Sequence, residues 1–224
     1  MNYLAILNNV IIFFLIVSIF FHRFLCIEGL KIAITGGIGC GKSTVLNYLE
    51  ANGVACLSAD AVVRRLLSED SGVIESVIEH FGEAVKNDEG SVDRRALAKI
   101  VFQSKSELEW LESVLHPLVR ASCEDFLRVH HAEPACVEIP LLFEKRLEKD
   151  YDLIVSVICT DANANNRLRD KGYSETDIAF RRQQQLPNSL KAEQSNIVLS
   201  NDGSLKFLEQ QMTTLLSYLK QHAV

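Results

Sequence analysis

The chain has 224 residues, enough for one α/β domain with insertions that buries most of its apolar surface. Its formal net charge of −6 argues against a nucleic-acid backbone as the main partner, whereas a small anionic metabolite in a locally basic pocket is compatible with it. The six cysteines show no C-x-x-C spacing, so they suggest neither a zinc site nor a disulfide framework, and we expect a reducing cytoplasm as the location.

Residues 1–29 differ from the rest of the chain because residues 3–24 are almost uncharged and strongly apolar. At about 20 residues per crossing, this run is long enough to span a bilayer. A cleaved signal peptide is disfavoured, since no Lys or Arg precedes the run and no A-x-A-like site follows it. A membrane anchor would keep Arg23 and the following chain on the cytoplasmic side. We favour a third interpretation, in which translation starts near Leu30, because residues 30–224 form a self-contained unit that needs no membrane segment.

A glycine-rich loop follows the first predicted strand, residues 30–35, and precedes a helix that includes residues 45–49. The loop, Gly36–Thr44, fits the pattern G-x-x-x-x-G-K-[ST] in its required strand–loop–helix setting. A plain glycine-rich turn would not require Lys-Ser-Thr at this offset. The pattern therefore predicts a phosphate-binding loop. The residues expected to bind the nucleotide are Gly37, Gly39, Cys40, Gly41, Lys42, Ser43 and Thr44.

The residue types of this loop follow from the chemistry of a triphosphate. Glycine lets the backbone adopt positive φ and turn its N–H groups toward phosphate, whose charge the following helix N-terminus also favours. Lys42 is expected to reach the β- and γ-phosphates of ATP, and the Ser43 hydroxyl is expected to bind Mg²⁺. The chain lacks the N-K-x-D guanine motif of switch GTPases, so the loop favours a small-molecule kinase.

Gly53 ends the first predicted helix, and residues 54–58 form a second strand. Further strands are predicted over residues 134–139, 152–159 and 196–200. A strand–helix–strand unit implies a parallel sheet, and ligands bind at the carboxyl edge of such sheets. We therefore predict an α/β fold with a five-stranded parallel sheet and helices on both faces.

Asp60 follows the second strand and is expected at the same sheet edge as the glycine-rich loop. It is the best candidate for a catalytic base. The alternative is that Asp60 is the N-cap of a helix over Ala61–Leu67, and the two roles are compatible with each other.

Two segments between the strands have helical patterns. Residues 61–130 show apolar positions at helical spacing and predict a helical insertion that recognises the second substrate. In this insertion Ser91 and Asp93 can cap a helix, and Pro117 directly after His116 marks a helix start, so His116 receives no acid–base role. Residues 163–185 are rich in cations and predict either a solvated helical hairpin or a mobile lid that closes on the transferring phosphoryl group.

Six separated motifs lie along residues 30–224. They are Thr35–Thr44, Ala59-Asp60 with Arg64, Asp93–Leu97, His116–Arg120, Ile139–Glu144 and Asn201–Ser204. Together these motifs resemble the dephospho-coenzyme A kinase family. The resemblance implies a P-loop kinase fold and ATP-dependent phosphorylation of the ribose 3′-hydroxyl of dephospho-coenzyme A, the last step of coenzyme A synthesis.

The resemblance also implies roles for residues at matching positions. Asp60 would remove the proton of the acceptor hydroxyl. Glu138 would hold a Mg²⁺-bound water, with a surface carboxylate as the alternative. Arg94, Arg95 and Arg120 lie in the insertion that receives the coenzyme A moiety in this family, although each could form an ordinary surface ion pair instead.

The chain departs from the family pattern at three places. Ser58 stands where the family commonly has an aspartate, which removes an accessory carboxylate. The lid commonly reads R-L-x-x-R, whereas Arg167-Leu168 is followed here by Arg169-Asp170-Lys171, so the cation that clamps phosphate is either Arg169 or Lys171. The family pattern has no membrane segment, which supports a start near Leu30. The rival functions are a kinase for another nucleoside or nucleotide, and a membrane-tethered nucleotide switch.

Overall fold

The computed structural model describes residues 29–222, and its framework is one five-stranded sheet. The strands are β1 (Lys31–Thr35), β2 (Ala55–Ser58), β3 (Ala135–Glu138), β4 (Leu153–Ile158) and β5 (Ile197–Ser200). Their order is β2-β3-β1-β4-β5, and every neighbouring pair is parallel. The predicted α/β fold with a five-stranded parallel sheet is confirmed, and the strand bounds differ from the predicted ones by one residue at some ends.

Within residues 29–222, nine α-helices connect and cover these strands. They are α1 (Lys42–Ala51), α2 (Ala59–Glu69), α3 (Ser71–Phe81), α4 (Arg94–Val101), α5 (Lys105–Val129), α6 (Asp161–Asp170), α7 (Glu175–Gln183), α8 (Asn188–Glu193) and α9 (Leu205–His222). In residues 29–222, no helix is both long and apolar enough to cross a membrane. The apolar run over residues 3–24 lies outside the described residues.

The sheet carries helices on both faces because side chains on neighbouring positions of a strand point in opposite directions. Ile32 and Ile34 of β1 are fully buried in a core that contains residues of α1 and α9. Ala33, between them, faces a second core that contains residues of α2 and α5. Parallel strands covered on both sides are nearly continuous apolar runs, as Ile32–Ile34 of β1 and β4 apart from Ser156 are.

Helices α2 to α5 form a third core beside the sheet. Val77, Val85 and Leu97 are among the buried members of this third core. Helices α2 and α5 contribute residues both to it and to the second core, which lies against the sheet. Asp93 is the N-cap of α4, as predicted, because its Oδ1 accepts from the N–H groups of Arg95 and Ala96.

The predicted helix start at Pro117 is wrong, because Pro117 lies inside the 25-residue helix α5. A proline in a helix interior costs about 3 kcal/mol, since it removes one N–H donor and crowds the preceding turn. Leu111 and Leu115 before the proline and Cys123 after it are all buried. Packing against the third core before Pro117 and against the second core after it therefore holds the helix together, a contribution that local sequence signals do not contain.

Candidate active site

The glycine-rich loop Gly36–Thr44 follows β1 and includes the first turn of α1, and it requires glycine at two positions for different reasons. A Cβ on Gly36 would lie 2.1 Å from the carbonyl oxygen of Val157 on β4, so the loop could not pass this strand with a larger residue. Gly41 is the N-cap of α1 with φ of 99°, in the left-handed region. The two fixed glycines of the motif thus set the path of the loop and the start of the helix.

Lys42 lies beneath this loop rather than in solvent. Its Nζ donates to the carbonyl oxygens of Gly36 and Gly37, at 3.0 Å each. Burial lowers the pKa of Lys42, while the nearby charges of Glu138, Cys40 and Asp60 act in the opposite direction. These contacts hold the ammonium group against the inside of the loop, which is where a bound phosphate chain would need a cation.

The backbone N–H groups of the loop divide into two sets. Gly37 N–H donates to Asn188 Oδ1 at 3.0 Å, and Ile38 N–H donates to Gln185 Oε1 at 2.8 Å. By contrast, no acceptor in residues 29–222 takes a hydrogen bond from the N–H groups of Gly39, Gly41, Lys42 or Ser43. The second set surrounds the N-terminus of α1, where an anion is favoured.

Two side chains from distant elements support the same loop. Asn201, after β5, donates from Nδ2 to the Cys40 carbonyl at 2.8 Å. Arg167, on α6, donates to the carbonyls of Gly39 at 3.4 Å and Asn201 at 2.6 Å. Arg167 therefore links the loop to the β5–α9 connection and Asn201 holds Cys40.

Among the residues that support the loop, sequence reasoning gave no individual role to Gln185, Asn188 or Asn201, and it treated Arg167 only as part of the predicted lid. The signals were that Asn201 belongs to a motif of the resembling family and that Arg167 belongs to the lid pattern of that family. The next residue of that motif has a role as well. Asp202 Oδ1 accepts from the Thr160 N–H, the Thr160 hydroxyl and the Asn163 amide, and so ties the β5–α9 connection to the start of α6.

Asp60 lies in the first turn of α2, directly after β2, and faces the cavity described below. The prediction that Asp60 caps a helix over Ala61–Leu67 is wrong, because the helix begins at Ala59 and Ser58 is its N-cap. Ser58 Oγ accepts from the Ala61 N–H at 3.4 Å. Because the Ser58 hydroxyl caps the helix, the carboxylate of Asp60 is not used as the N-cap.

Glu138 is the last residue of β3 and is 5% exposed, so it is not a surface carboxylate. Its register neighbours are Ile34 on β1 and Ser58 on β2, which places it beside both the start of the glycine-rich loop and the start of α2. Its charge acts on the Lys42 ammonium group. The structure thus brings Lys42, Asp60 and Glu138 to one edge of the sheet, as expected for carboxyl ends of adjacent parallel strands.

The two predicted lid cations do not reach the loop in this structure. Arg169 forms an ion pair with Glu175, with 2.6 Å between Nε and Oε1, and the pairing raises the pKa of Arg169. Lys171 is exposed at the C-terminus of α6. Helices α6 and α7 do form a hairpin, so that alternative describes the local structure, while the phosphate-clamping role of Arg169 or Lys171 stays a prediction.

Arg181, on α7, is the cation of this hairpin that lines the cavity. Its guanidinium carbon lies 4.9 Å from the ring centre of Phe102 and 5.2 Å from that of Tyr173. Its Nε is buried and has no hydrogen-bond partner in residues 29–222. The two rings hold the charged group by cation–π contacts but accept no hydrogen bond from Nε.

A cavity of about 1340 Å³ extends from the loop along the face of the sheet. Ile38, Lys42 and Asp60 line one end, Arg120 of α5 lies along its side, and Lys31 at the amino end of β1 lines the other end. At about 3.3 Å per residue, the five residues of β1 make this path on the order of 15 Å long. Arg94 and Arg95 line a separate, smaller depression near the start of α4.

The comparisons with known proteins agree with this geometry. The family model for dephospho-CoA kinase (CoaE) matches residues 30–206. The chain belongs to the dephospho-CoA kinase family. Dephospho-CoA kinases from Synechococcus sp. (strain JA-3-3Ab) and Bdellovibrio bacteriovorus are 35% and 33% identical to it, over 208 and 193 residues. The matches cover 83% and 85% of this chain, and 90% and 96% of those proteins.

Two solved structures share the fold of this chain. The crystal structure of TT1252 from Thermus thermophilus matches with a TM-score of 0.72 and 36% identity, covering 86% of this chain and 98% of that one. A dephospho-CoA kinase from Campylobacter jejuni matches with a TM-score of 0.66 and 22% identity, covering 87% and 98%. The second likeness is evidence for the fold alone. The family resemblance predicted from the motifs is confirmed.

Proposed function

We propose that the chain transfers the γ-phosphoryl group of ATP to the ribose 3′-hydroxyl of dephospho-coenzyme A. The observation that carries this proposal is the continuity of one cavity with the nucleotide loop. Lys42 and Asp60 stand at the same end of that cavity, so a triphosphate and an acceptor hydroxyl would meet there. Membership of the dephospho-CoA kinase family supports the identity of the acceptor.

The length and lining of the cavity suit an extended acceptor. Dephospho-coenzyme A joins a nucleoside to a long, flexible arm through a diphosphate, and a kinase for a compact nucleoside would not need the far end of the cavity. Arg120 and Arg181 line it and can attract the diphosphate, while Val119, Leu127 and Tyr151 offer apolar surface to the arm. Arg120 already pairs with Glu124 and Asp150, so its charge is partly neutralised.

The chemistry is an in-line transfer in which the protein positions the reactants and neutralises charge. The carboxylate of Asp60 takes the proton of the acceptor hydroxyl, whose oxygen forms a bond to the γ-phosphorus as the bond to the β–γ bridging oxygen breaks and ADP leaves. Lys42 and the free loop N–H groups bind the phosphate oxygens throughout. Closure of α6 and α7 would exclude water, and Arg169 or Lys171 could then reach the phosphoryl group.

The donor set also fits Mg²⁺, which on nucleotides takes only one or two protein oxygens and completes its shell with phosphate and water. Ser43 presents an exposed hydroxyl in the first turn of α1, and Glu138 presents a carboxylate close to Lys42. Residues 29–222 contain no cluster of three acidic, His or Cys side chains that could hold a metal unaided. Bound Mg²⁺ would neutralise phosphate charge, with Ser43 as direct ligand and Glu138 holding a water of its shell.

The decisive experiment measures phosphoryl transfer from ATP to dephospho-coenzyme A, with adenosine and AMP as control acceptors. Asp60→Asn should bind ATP nearly normally and turn over about 10²–10⁴-fold more slowly, because a positioned general base is lost. Glu69→Gln is the matched control, since it neutralises an exposed carboxylate at the other end of α2. Transfer to adenosine or AMP in preference to dephospho-coenzyme A would refute the acceptor assignment, and normal turnover of Asp60→Asn would refute the base.

A further inference from the structure

Two cysteines from distant parts of the chain meet beneath the nucleotide loop. Cys40 belongs to the loop, and Cys159 follows the last residue of β4. Their sulfur atoms are 3.4 Å apart, although the residues are 119 positions apart in sequence. Cys40 has no exposed surface and Cys159 is 7% exposed. The parallel order β1-β4 brings the two together, because both residues lie just beyond the carboxyl ends of these adjacent strands.

The surroundings of the two sulfur atoms make them chemically unequal. The thiol of Cys159 donates to Cys40 Sγ, and this bond, with the nearby charge of Lys42 and the Asn188 amide at 3.4 Å, lowers the pKa of Cys40 against the effect of burial. Cys159 correspondingly has a raised pKa, because its proton is held in the bond to Cys40. A thiolate beside a protonated thiol is the arrangement in which one cysteine attacks an oxidant and the other resolves the product.

We propose that Cys40 and Cys159 form a reversible disulfide on exposure to a hydroperoxide, and that this bond switches off nucleotide binding. In the first step the Cys40 thiolate attacks the peroxide and the O–O bond breaks, which gives a sulfenic acid, and the leaving hydroxide (or alkoxide) takes a proton from solvent to become water (or an alcohol). In the second step Cys159 sulfur attacks the sulfenic sulfur, its proton leaves with the hydroxyl group as a second water, and the disulfide forms. Two thiols are oxidised by two electrons and one peroxide is reduced.

The disulfide would act on nucleotide binding through the position of the loop. A disulfide bond is about 2.05 Å long, so the two sulfur atoms must come about 1.3 Å closer than they are in this structure. The neighbours of Cys40 in the loop include Gly39, Gly41 and Lys42, whose free N–H groups are expected to bind phosphate. A displacement of about 1 Å can cost on the order of 10² in a reaction that depends on placement. The functional part of this proposal rests on ATP binding at the loop.

Other cysteines of the chain provide controls. Cys123, on α5, is buried away from the loop, and burial raises its pKa to about 11, which makes it a poor nucleophile. Cys56 and Cys136 are register partners on β2 and β3, so a mass map must distinguish their oxidation from that of the loop pair. Cys159→Ala removes the resolving thiol and its contacts with Cys40 Sγ and the Gly39 carbonyl but leaves every loop residue unchanged, and Cys123→Ala is its matched control.

The test treats the full-length protein with hydrogen peroxide, blocks remaining thiols by alkylation, maps the peptides by mass and measures the Kd for ATP. We expect a linked 40–159 peptide, at least tenfold weaker ATP binding, and recovery of both with dithiothreitol. Cys159→Ala should bind ATP normally before oxidation and then yield no linked peptide and no recovery by dithiothreitol, because Cys40 oxidises further. Cys123→Ala should behave as the unmodified sequence does.

Three results would overturn the proposal. They are the absence of a 40–159 link under peroxide, a link that leaves the Kd for ATP unchanged, and a recoverable loss of binding that persists in Cys159→Ala. None of these readouts requires an acceptor. If the protein failed to phosphorylate dephospho-coenzyme A, the proposed function would fall while the linked peptide and its effect on ATP binding could still be measured.

Discussion

Lys191, on α8, has no exposed surface although it carries an ammonium group. Its Nζ lies 2.8 Å from Glu144 Oε1 and donates to the Pro140 carbonyl at 2.7 Å. Glu144 Oε1 also accepts from the Leu186 N–H at 2.7 Å. The ion pair therefore joins α8 to the segment that follows β3, and α8 carries Asn188, which holds the nucleotide loop.

Breaking this pair on one side should destabilise the protein strongly. Lys191→Met leaves the carboxylate of Glu144 in a site where one of its oxygens is already buried without a partner in residues 29–222. Removing one member of a buried ion pair costs about 3–5 kcal/mol, because the remaining charge is uncompensated. Against a typical total of about 5–15 kcal/mol, this is a large part of the free energy of unfolding.

A double variant separates the charge from the shape. In Lys191→Met with Glu144→Gln no charged group remains buried at this site, and the Gln oxygen can still accept from the Leu186 N–H. The remaining loss is the hydrogen bond to the Pro140 carbonyl, which leaves a cost of about 1–3 kcal/mol. The double variant should therefore be more stable than Lys191→Met alone.

Urea denaturation followed by circular dichroism measures these free energies of unfolding. Lys220→Met, which removes an exposed lysine of α9, is the control and should change stability by no more than about 0.5 kcal/mol. The reasoning is refuted if Lys191→Met lowers the free energy of unfolding by less than about 1 kcal/mol. It is also refuted if the losses measured for Lys191→Met and for Glu144→Gln alone simply add in the double variant.

Two further predictions concern the supports of the loop. Asn201→Ala removes the bond to the Cys40 carbonyl and should raise the Kd for ATP about tenfold, whereas Asn52→Ala, at an exposed helix end, should leave it unchanged in a titration. Three donors lower the pKa of Asp202, chiefly the Thr160 N–H, so its contribution to stability is present above about pH 4 and lost as pH falls through the lowered value. The stability difference between the unmodified protein and Asp202→Asn should therefore shrink from pH 7 to pH 2, and a constant difference would contradict this account.

The nucleotide loop and the sheet could be predicted because their signals are local. Nine consecutive residues, Gly36–Thr44, specify the loop, and short apolar runs specify each strand. Asp60 was expected beside the loop because the carboxyl ends of adjacent parallel strands share one edge, and the structure places both at one end of the cavity. Such inferences need only the order of elements and the direction of the chain.

Local signals failed where packing overrides them. Pro117 is a strong mark of a helix start, yet buried residues on both sides of it continue α5 through the proline. Asp60 suits an N-cap by residue type, yet the helix begins earlier and Ser58 performs that role. In both cases the sequence showed the residues involved, but it did not show the packing that continues α5 through Pro117 or the position at which α2 begins.

The sequence by itself therefore determined the fold class, the family and the phosphate-binding loop, since each depends on residues that are adjacent or regularly spaced. The tertiary structure alone decided which side chains support that loop, where the lid cations lie, and that Cys40 meets Cys159. The contacts that support the loop and the contact between the two cysteines join residues more than 100 positions apart. They follow from the strand order β2-β3-β1-β4-β5 and from the packing of α6 to α8 against the loop, neither of which has a periodicity that can be read along the chain.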